Sequence, residues 1–209
     1  MQRLAPDCEA WLDRKHRRVV LRGEIVFREG PLELFACPKG TKEHEAIIAC
    51  PTKAHVVHAA LLALGAEPGH PVAFRPDYRP AEGPEVEVTV FWTDAHGKQQ
   101  RARGQDWVRD AKTGQALDAP WVFAGSGFWK DEATGQNHYM AESGDLICVS
   151  NFPSAMLDLP IASSQSNESL MFECFRERIP PIGTKVILTL TPKHPQNQKG
   201  TSSASPHRG

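Results

Sequence analysis

Residues Cys37–Gly65, CPKGTKEHEAIIACPTKAHVVHAALLALG, decide how the rest of the chain is read. Within them fall two cysteines (Cys37, Cys50), three histidines (His44, His55, His58), Lys42, Glu43 and Glu45. Pro38-Lys39-Gly40 closes a strand, and Thr41 stands where an N-cap hydroxyl would. Glu43 and Glu45 then occupy first-turn positions that the helix dipole favours for carboxylates. Pro51 breaks that helix, Thr52 caps a second over Lys53–Leu64, and Gly65 takes the left-handed position that ends helices. Val57, Ala60, Leu61 and Leu64 form the apolar stripe, while His55 and His58 share a neighbouring face. The reading is a helical hairpin that sets thiol, imidazole and carboxylate groups beside the core.

Outward from this stretch the pattern turns to strand. Arg18–Phe27 (RVVLRGEIVF) and Leu32–Ala36 (LELFA) carry strand composition and are joined by a Glu29-Gly30-Pro31 turn. Glu85–Trp92 (EVEVTVFW) alternates, with Val86, Val88 and Val90 on one face. Asp94–Gly97 turns it into a hairpin partner at Lys98–Arg103. Shorter strands are expected at Pro71–Phe74, Asp106–Arg109, Trp121–Phe123, Asp145–Ser150, Leu170–Phe175 and Thr184–Thr191. Turns fall at Asp110–Gly114 and Asp131–Gly135, and Leu157–Ser169 reads as an irregular surface loop. Many strands and two early helices predict an α+β fold, with a mostly antiparallel sheet or partly closed barrel and two short helices near the N-terminal third. Residues 1–17 read as a lead-in, 18–192 as a single domain, and 193–209 as a disordered tail of Pro, Ser, Gly and His.

A chain of 209 residues with 40% hydrophobic and 23% charged residues suits a soluble globular domain. A net charge of -1 gives no general reason to expect nucleic acid as a partner. No apolar run is long enough for a membrane span. Met1–Arg18 is polar and lacks the apolar core of a signal peptide, which taken literally means a cytoplasmic protein. The five cysteines, Cys8, Cys37, Cys50, Cys148 and Cys174, contain no C-x-x-C. No iron–sulfur cluster, zinc ribbon or thioredoxin-type motif is therefore expected. Cys148 and Cys174 lie in apolar runs and read as buried thiols.

Three readings of the Cys37–His58 cluster stay open. As a metal site, His44, Glu45, His58 and Cys37 would be the donors, and such a set suits zinc or copper. H-E-x-x-H is absent, because Glu45 is followed by Ala46-Ile47-Ile48. As a nucleophile site, Cys37 would be a thiolate stabilised by a helix dipole and Lys42, with His44 or His58 as base. As plain structure, Lys42 and Glu43 are solvated charges and the histidines half-buried surface groups. A second polar set runs from Trp121 to Asp158 and includes Ser126 between Gly125 and Gly127, His138-Tyr139, Gly144-Asp145 and Ser150-Asn151. No G-x-S-x-G elbow occurs in it.

The blocks GEIVFREGPLELFAC, TKEHEAII, HAALLALGAEPG, WVFAGS and DLICVSNFPSAMLDLP make the chain resemble the YdjY-domain family of bacterial proteins, from about Val19 to Pro192. The resemblance implies no established catalytic residues. It puts Lys42, His44, Glu45, Ser126 and Asn151 within the recognisable blocks. It also implies an exported or envelope location, against the absent signal peptide. The ferredoxin-like label of some cysteine-rich relatives does not carry over, for want of the cysteine spacing. The function expected is a small metal- or ligand-binding module, with Lys42, Ser126 and Asn151 as further binding residues. The alternatives are a non-catalytic envelope interaction domain for protein or glycan, and a thiol-dependent enzyme.

Overall fold

The computed structural model describes residues 1–163 and 171–193. Its strands are β1 (Gln2–Arg3), β2 (Ala10–Asp13), β3 (Arg18–Ile25), β4 (Leu34–Pro38), β5 (Ala46–Cys50), β6 (Glu85–Thr93), β7 (Gln99–Arg103) and β8 (Val108–Asp110). They continue as β9 (Trp121–Phe123), β10 (Phe128–Lys130), β11 (Asn137–Tyr139), β12 (Ile147–Cys148), β13 (Leu157–Asp158), β14 (Phe172–Cys174) and β15 (Lys185–Pro192). The α-helix α1 spans Ala54–Ala63, and 3-10 turns occupy Gly104–Trp107 and Met140–Ser143.

Eight strands close on themselves in the order β3-β15-β6-β9-β13-β12-β4-β5, and β5 returns to β3. The barrel is mixed: β4 with β5 and β12 with β13 run parallel, and its other neighbours antiparallel. β2 extends the β3 edge and carries β1, while β7 pairs with β6 outside the ring. With 38% strand and 10% helix, the chain is mostly β, so the α+β expectation holds only in part.

Period-two alternation sets the long walls. Val86, Val88 and Val90 of β6 are buried, as are Val186, Leu188 and Leu190 of β15 and Val19 and Leu21 of β3. The register puts Leu188 opposite both Val90 and Leu21, and Leu190 opposite both Val88 and Val19, so apolar rows cross three strands. Phe35, Trp121 and Trp107 fill the space between walls, with ring centroids 5.1 Å apart for Phe35–Trp121 and 6.3 Å for Phe35–Trp107. The Trp121 indole donates to the Cys148 carbonyl at 2.7 Å, satisfying a polar atom that burial would otherwise penalise.

The expected first helix is replaced by strand. Ala46–Cys50 is β5, buried at all five positions. Ile47 and Ile48 join the main core, while Ala46 and Ala49 pack with Leu34, Cys37, Cys148 and Ala155 on the other side of the wall. A segment apolar on both faces, with adjacent β-branched residues, suits a strand covered on two sides. Thr41 does not cap a helix; its hydroxyl donates to the Pro38 carbonyl at 2.6 Å, closing a turn.

The second helix forms as expected and ends at Gly65, whose φ is 82°. Lys53, not Thr52, is its N-cap, and the Thr52 hydroxyl has no partner among the described residues. Val57 and Leu61 share one core with Leu12, Val19 and Leu21, so the helix covers β2 and β3. The expected loop at Leu157–Ser169 differs too: Leu157–Asp158 is a buried barrel strand. Residues 164–170 and the expected tail after Lys193 lie outside the described residues.

Closure depends on Gly23. A Cβ there would sit 2.6 Å from Ile48 Cγ2 and 3.3 Å from the Ala49 carbonyl, at the seam where β3 meets β5. Gly23→Val is expected to lower the unfolding free energy by about 1–3 kcal/mol, read as a shifted urea midpoint with an unchanged slope. An unaltered midpoint would show that the seam has slack.

Candidate functional site

The turn between β4 and β5 holds the site's one ammonium. Gly40, at φ 85°, lets the chain reverse, and its N–H donates to Glu43 Oε1 at 2.7 Å. Lys42 then points across the turn, and its Nζ donates to Asp145 Oδ1 at 2.9 Å. Its stem lies against Gly144, where a Cβ would fall 2.6 Å from Lys42 Cγ, and its ammonium sits 4.7 Å from the centre of the Phe152 ring.

Asp145 is 2% exposed. Its second oxygen accepts from the Ser154 hydroxyl in a short contact and lies 3.3 Å from Ser143 Oγ, which donates to the Met140 carbonyl at 2.8 Å. Glu45 Oε1 lies 3.8 Å from Lys42 Nζ, and the buried Glu33 carboxyl is hydrogen-bonded to Glu45. Burial and then the Glu45 charge push the Glu33 carboxyl upward. Burial alone would lower the Lys42 ammonium, but the Asp145 carboxylate outweighs it and the net direction is upward. One ammonium thus faces three carboxyls, from Glu33, Glu45 and Asp145.

The network continues along the rim. Ser126, held at φ 59° after Gly125, donates to the Ser154 carbonyl at 2.7 Å. Tyr139 Oη donates to the Gly125 carbonyl at 3.1 Å and lies 2.8 Å from His58 Nδ1. The His58 ring meets Phe123 edge-on at 4.9 Å, and burial lowers its pKa. Lys42, Ser126 and His58 therefore belong to one chain of contacts through Asp145, Ser154 and Tyr139.

The expected donor set does not converge. His44 is 79% exposed, with only Glu45 near it at 3.7 Å. Cys37 is fully buried, and burial first, then the Glu43 and Glu45 charges, push its thiol up to about 11. That shift runs against the thiolate reading, and the strand that replaced the first helix offers no N-terminal dipole to oppose it. His58 is engaged with Tyr139 instead, and His55 Nδ1 is 2.5 Å from Glu142. Among the described residues no group of three or more His, Cys, Asp and Glu side chains is placed to hold a metal ion. All five cysteines are buried and unpaired.

Asn151 belongs to a separate buried pair. Its Nδ2 donates to Asp158 Oδ1 at 3.2 Å, and its Oδ1 accepts the Ser163 N–H at 2.7 Å. Asp158 is 0% exposed, and its Oδ2 has no partner among the described residues. The residues missed by sequence reasoning are Glu33 and Ser154, while Asp145 and Tyr139 were named in the second polar set without being linked to Lys42 or His58. Glu33 did leave a signal, as a lone acid in the apolar run LELFA.

Outside the barrel, β3, β5, β15 and β6 form the floor of a groove of about 700 Å³. Val26, Ala49, Phe91 and Ile187 supply apolar surface, and Arg22, Glu24, Lys39, Glu43 and Lys185 stand around it. Lys39 and Glu43 come from the same turn as Lys42, which faces the opposite way into the rim network.

These features define a mixed β-barrel module with a charged rim and an outer groove. Residues 10–191 match the YdjY domain, and the chain belongs to that family. No curated protein and no solved structure matches the chain. No helix among the described residues is long and apolar enough to cross a membrane.

Burial raises the Asp158 carboxyl to about 7 against an ordinary value of 3.8, despite the hydrogen bonds from Leu159 and Asn151. Between those two pH values the folded state binds a proton that the unfolded chain has released. Stability from this group is therefore whole below the ordinary value and is lost as pH climbs through about 7. Asp158→Asn should flatten that fall and raise the melting temperature at pH about 8 more than at pH about 4.5. Equal shifts at both pH values would refute a buried, protonated Asp158.

Proposed function

We propose that this chain is a non-catalytic binding module, and that its outer groove takes an extended, overall uncharged stretch of another polypeptide. The observation that carries this reading is the concavity of about 700 Å³ with an apolar floor on an outer strand wall. That volume falls in the range of ligand clefts. Three cations (Arg22, Lys39, Lys185) face three carboxylates (Glu9, Glu24, Glu43) around it. A strongly charged ligand of either sign would meet like charge, whereas main-chain N–H and C=O groups find both acceptors and donors.

Strand geometry supports the same occupant. Ile187 on β15 pairs with Phe91 on β6, so the floor is an outward-facing apolar row. An extended peptide presents alternate side chains to such a row and its amides to the charged edges. The envelope setting implied by the family resemblance fits a module that holds a partner.

The test is selection of displayed random peptides on the full-length protein, followed by affinity measurement. Neutral peptides with alternating apolar residues should be enriched, and Ile187→Asp should weaken them by about tenfold or more. Phe128→Ser, on the distant β10–β11 hairpin, should leave them unchanged. Peptides that bind equally well to Ile187→Asp, or no enrichment at all, would defeat the reading.

A further inference from the structure

The geometry points to an intramolecular amide between Lys42 Nζ and Asp145 Cγ, formed spontaneously by the folded chain. The two groups already touch, with Nζ 2.9 Å from Oδ1, although they lie 103 positions apart in sequence. Asp145 is 2% exposed, and the Lys42 stem is confined by Gly144 and the Phe152 ring. Holding an amine and a carboxyl in contact is worth effective concentrations of about 10⁵–10⁸ M, enough to favour a condensation that is uphill between free reactants in water.

The step balances without any added reagent. The ion pair and its neutral tautomer, amine plus carboxylic acid, differ by one proton moved along the Nζ–Oδ1 hydrogen bond. The Nζ lone pair attacks Cγ, and a C–N bond forms as charge develops on Oδ2. Ser154 already donates to that oxygen, so it stabilises the tetrahedral oxyanion, and Ser143 Oγ stands 3.3 Å away. The Oδ1 hydroxyl departs as water when the C–O bond breaks, taking up a proton. The attacking nitrogen gives up its extra proton to a neighbouring carboxylate. Ammonium plus carboxylate becomes amide plus water, with no net change of charge and no redox partner.

The acid excess around Lys42 supplies the proton traffic. Glu45 lies 3.8 Å from Nζ and is hydrogen-bonded to the buried Glu33. Glu45 is placed to receive the proton that the amine gives up, and Glu33, whose carboxyl burial pushes upward, stands next to it in the same chain of carboxyls. The product also removes a half-buried ion pair, whose two charges are costly to keep out of water. A neutral amide fits the same hydroxyl donor.

The bond would bridge the turn after β4 to the residue two positions before β12, the other neighbour of β4. It is a covalent staple across the rim of the barrel.

Denaturing mass spectrometry of the intact, reduced, full-length protein decides the matter. The expected mass is about 18 Da below that of the sequence, the water lost in forming one amide. Digestion and fragmentation should give a branched peptide joining Lys42 to Asp145. Lys42→Arg and Asp145→Ala should both show the full mass of their sequences and no branched peptide. A wild-type protein of unreduced mass overturns the proposal without recourse to any variant. So does a loss of water confined to a linear peptide, as a succinimide at Asp145 would give. Glu33→Gln should slow the appearance of the branched peptide by about tenfold or more, and Glu33→Asp should restore it. An unchanged rate in Glu33→Gln would remove the carboxyl pair from the chemistry.

Discussion

The pairing of Ala46–Cys50 with two strands at once is the constraint on which the molecule is built. β5 runs parallel to β4 on one side and antiparallel to β3 on the other. Without that second pairing the wall would remain an open sheet, and β5 would present unpaired N–H and C=O groups along one edge, as would the end of β3 that β2 does not cover. With it, β2 with β1 and the polar strand β7 (QQRAR) flank the ring, and β8 with β14 and β10 with β11 form separate two-stranded pairs. The seam is narrow because Gly23 contributes no side chain where Ile48 and Cys50 approach. Every later feature follows from this closure. It fixes the return path of residues 39–45, and that path aims Lys42 inward and Lys39 and Glu43 outward.

The walls were legible in the sequence and the seam was not. EVEVTVFW and TKVILTLT declare strands by period-two alternation, and their register in the barrel is the one that alternation predicts. HAALLALG declares a helix with a glycine stop, and α1 follows it. AIIAC carries no such signature, since a segment buried on both faces has no polar phase to count. Its preceding acids, Glu43 and Glu45, resemble first-turn helix residues because the same carboxylates serve another purpose here. Glu43 caps the Gly40 N–H within a turn, and Glu45 faces Lys42. Local propensity was a weak prior, and parallel pairing to β4 outweighed it.

The candidate site was half visible for the same reason. Lys42 and Ser126 were singled out, and His58 stands on the helix where expected. What joins them is Asp145, with Ser154 and Tyr139, and these come from segments more than eighty positions away from the histidine and the lysine. Contacts of that separation leave no spacing signal in one sequence. His44 drew attention through its neighbours in the chain, yet a turn residue between inward Lys42 and inward Glu45 faces outward. Its side chain is 79% exposed.

A lone ammonium among three carboxyls also bears on why no metal donor set assembles among the described residues where the composition invited one. Carboxylates gather around a cation because it neutralises them in a poorly hydrated place, and a lysine supplied by the chain already fills that role. The same lysine ties the turn to the segment before β12. Loosening it would free both faces of the turn, the inner one that satisfies Asp145 and the outer one that presents Lys39 and Glu43 to the groove. Outer groove and buried network thus meet at two sides of the same seven residues, 39–45. A change on the inner side, such as the loss of the Asp145 carboxylate, reaches the groove through backbone geometry and not through any direct contact.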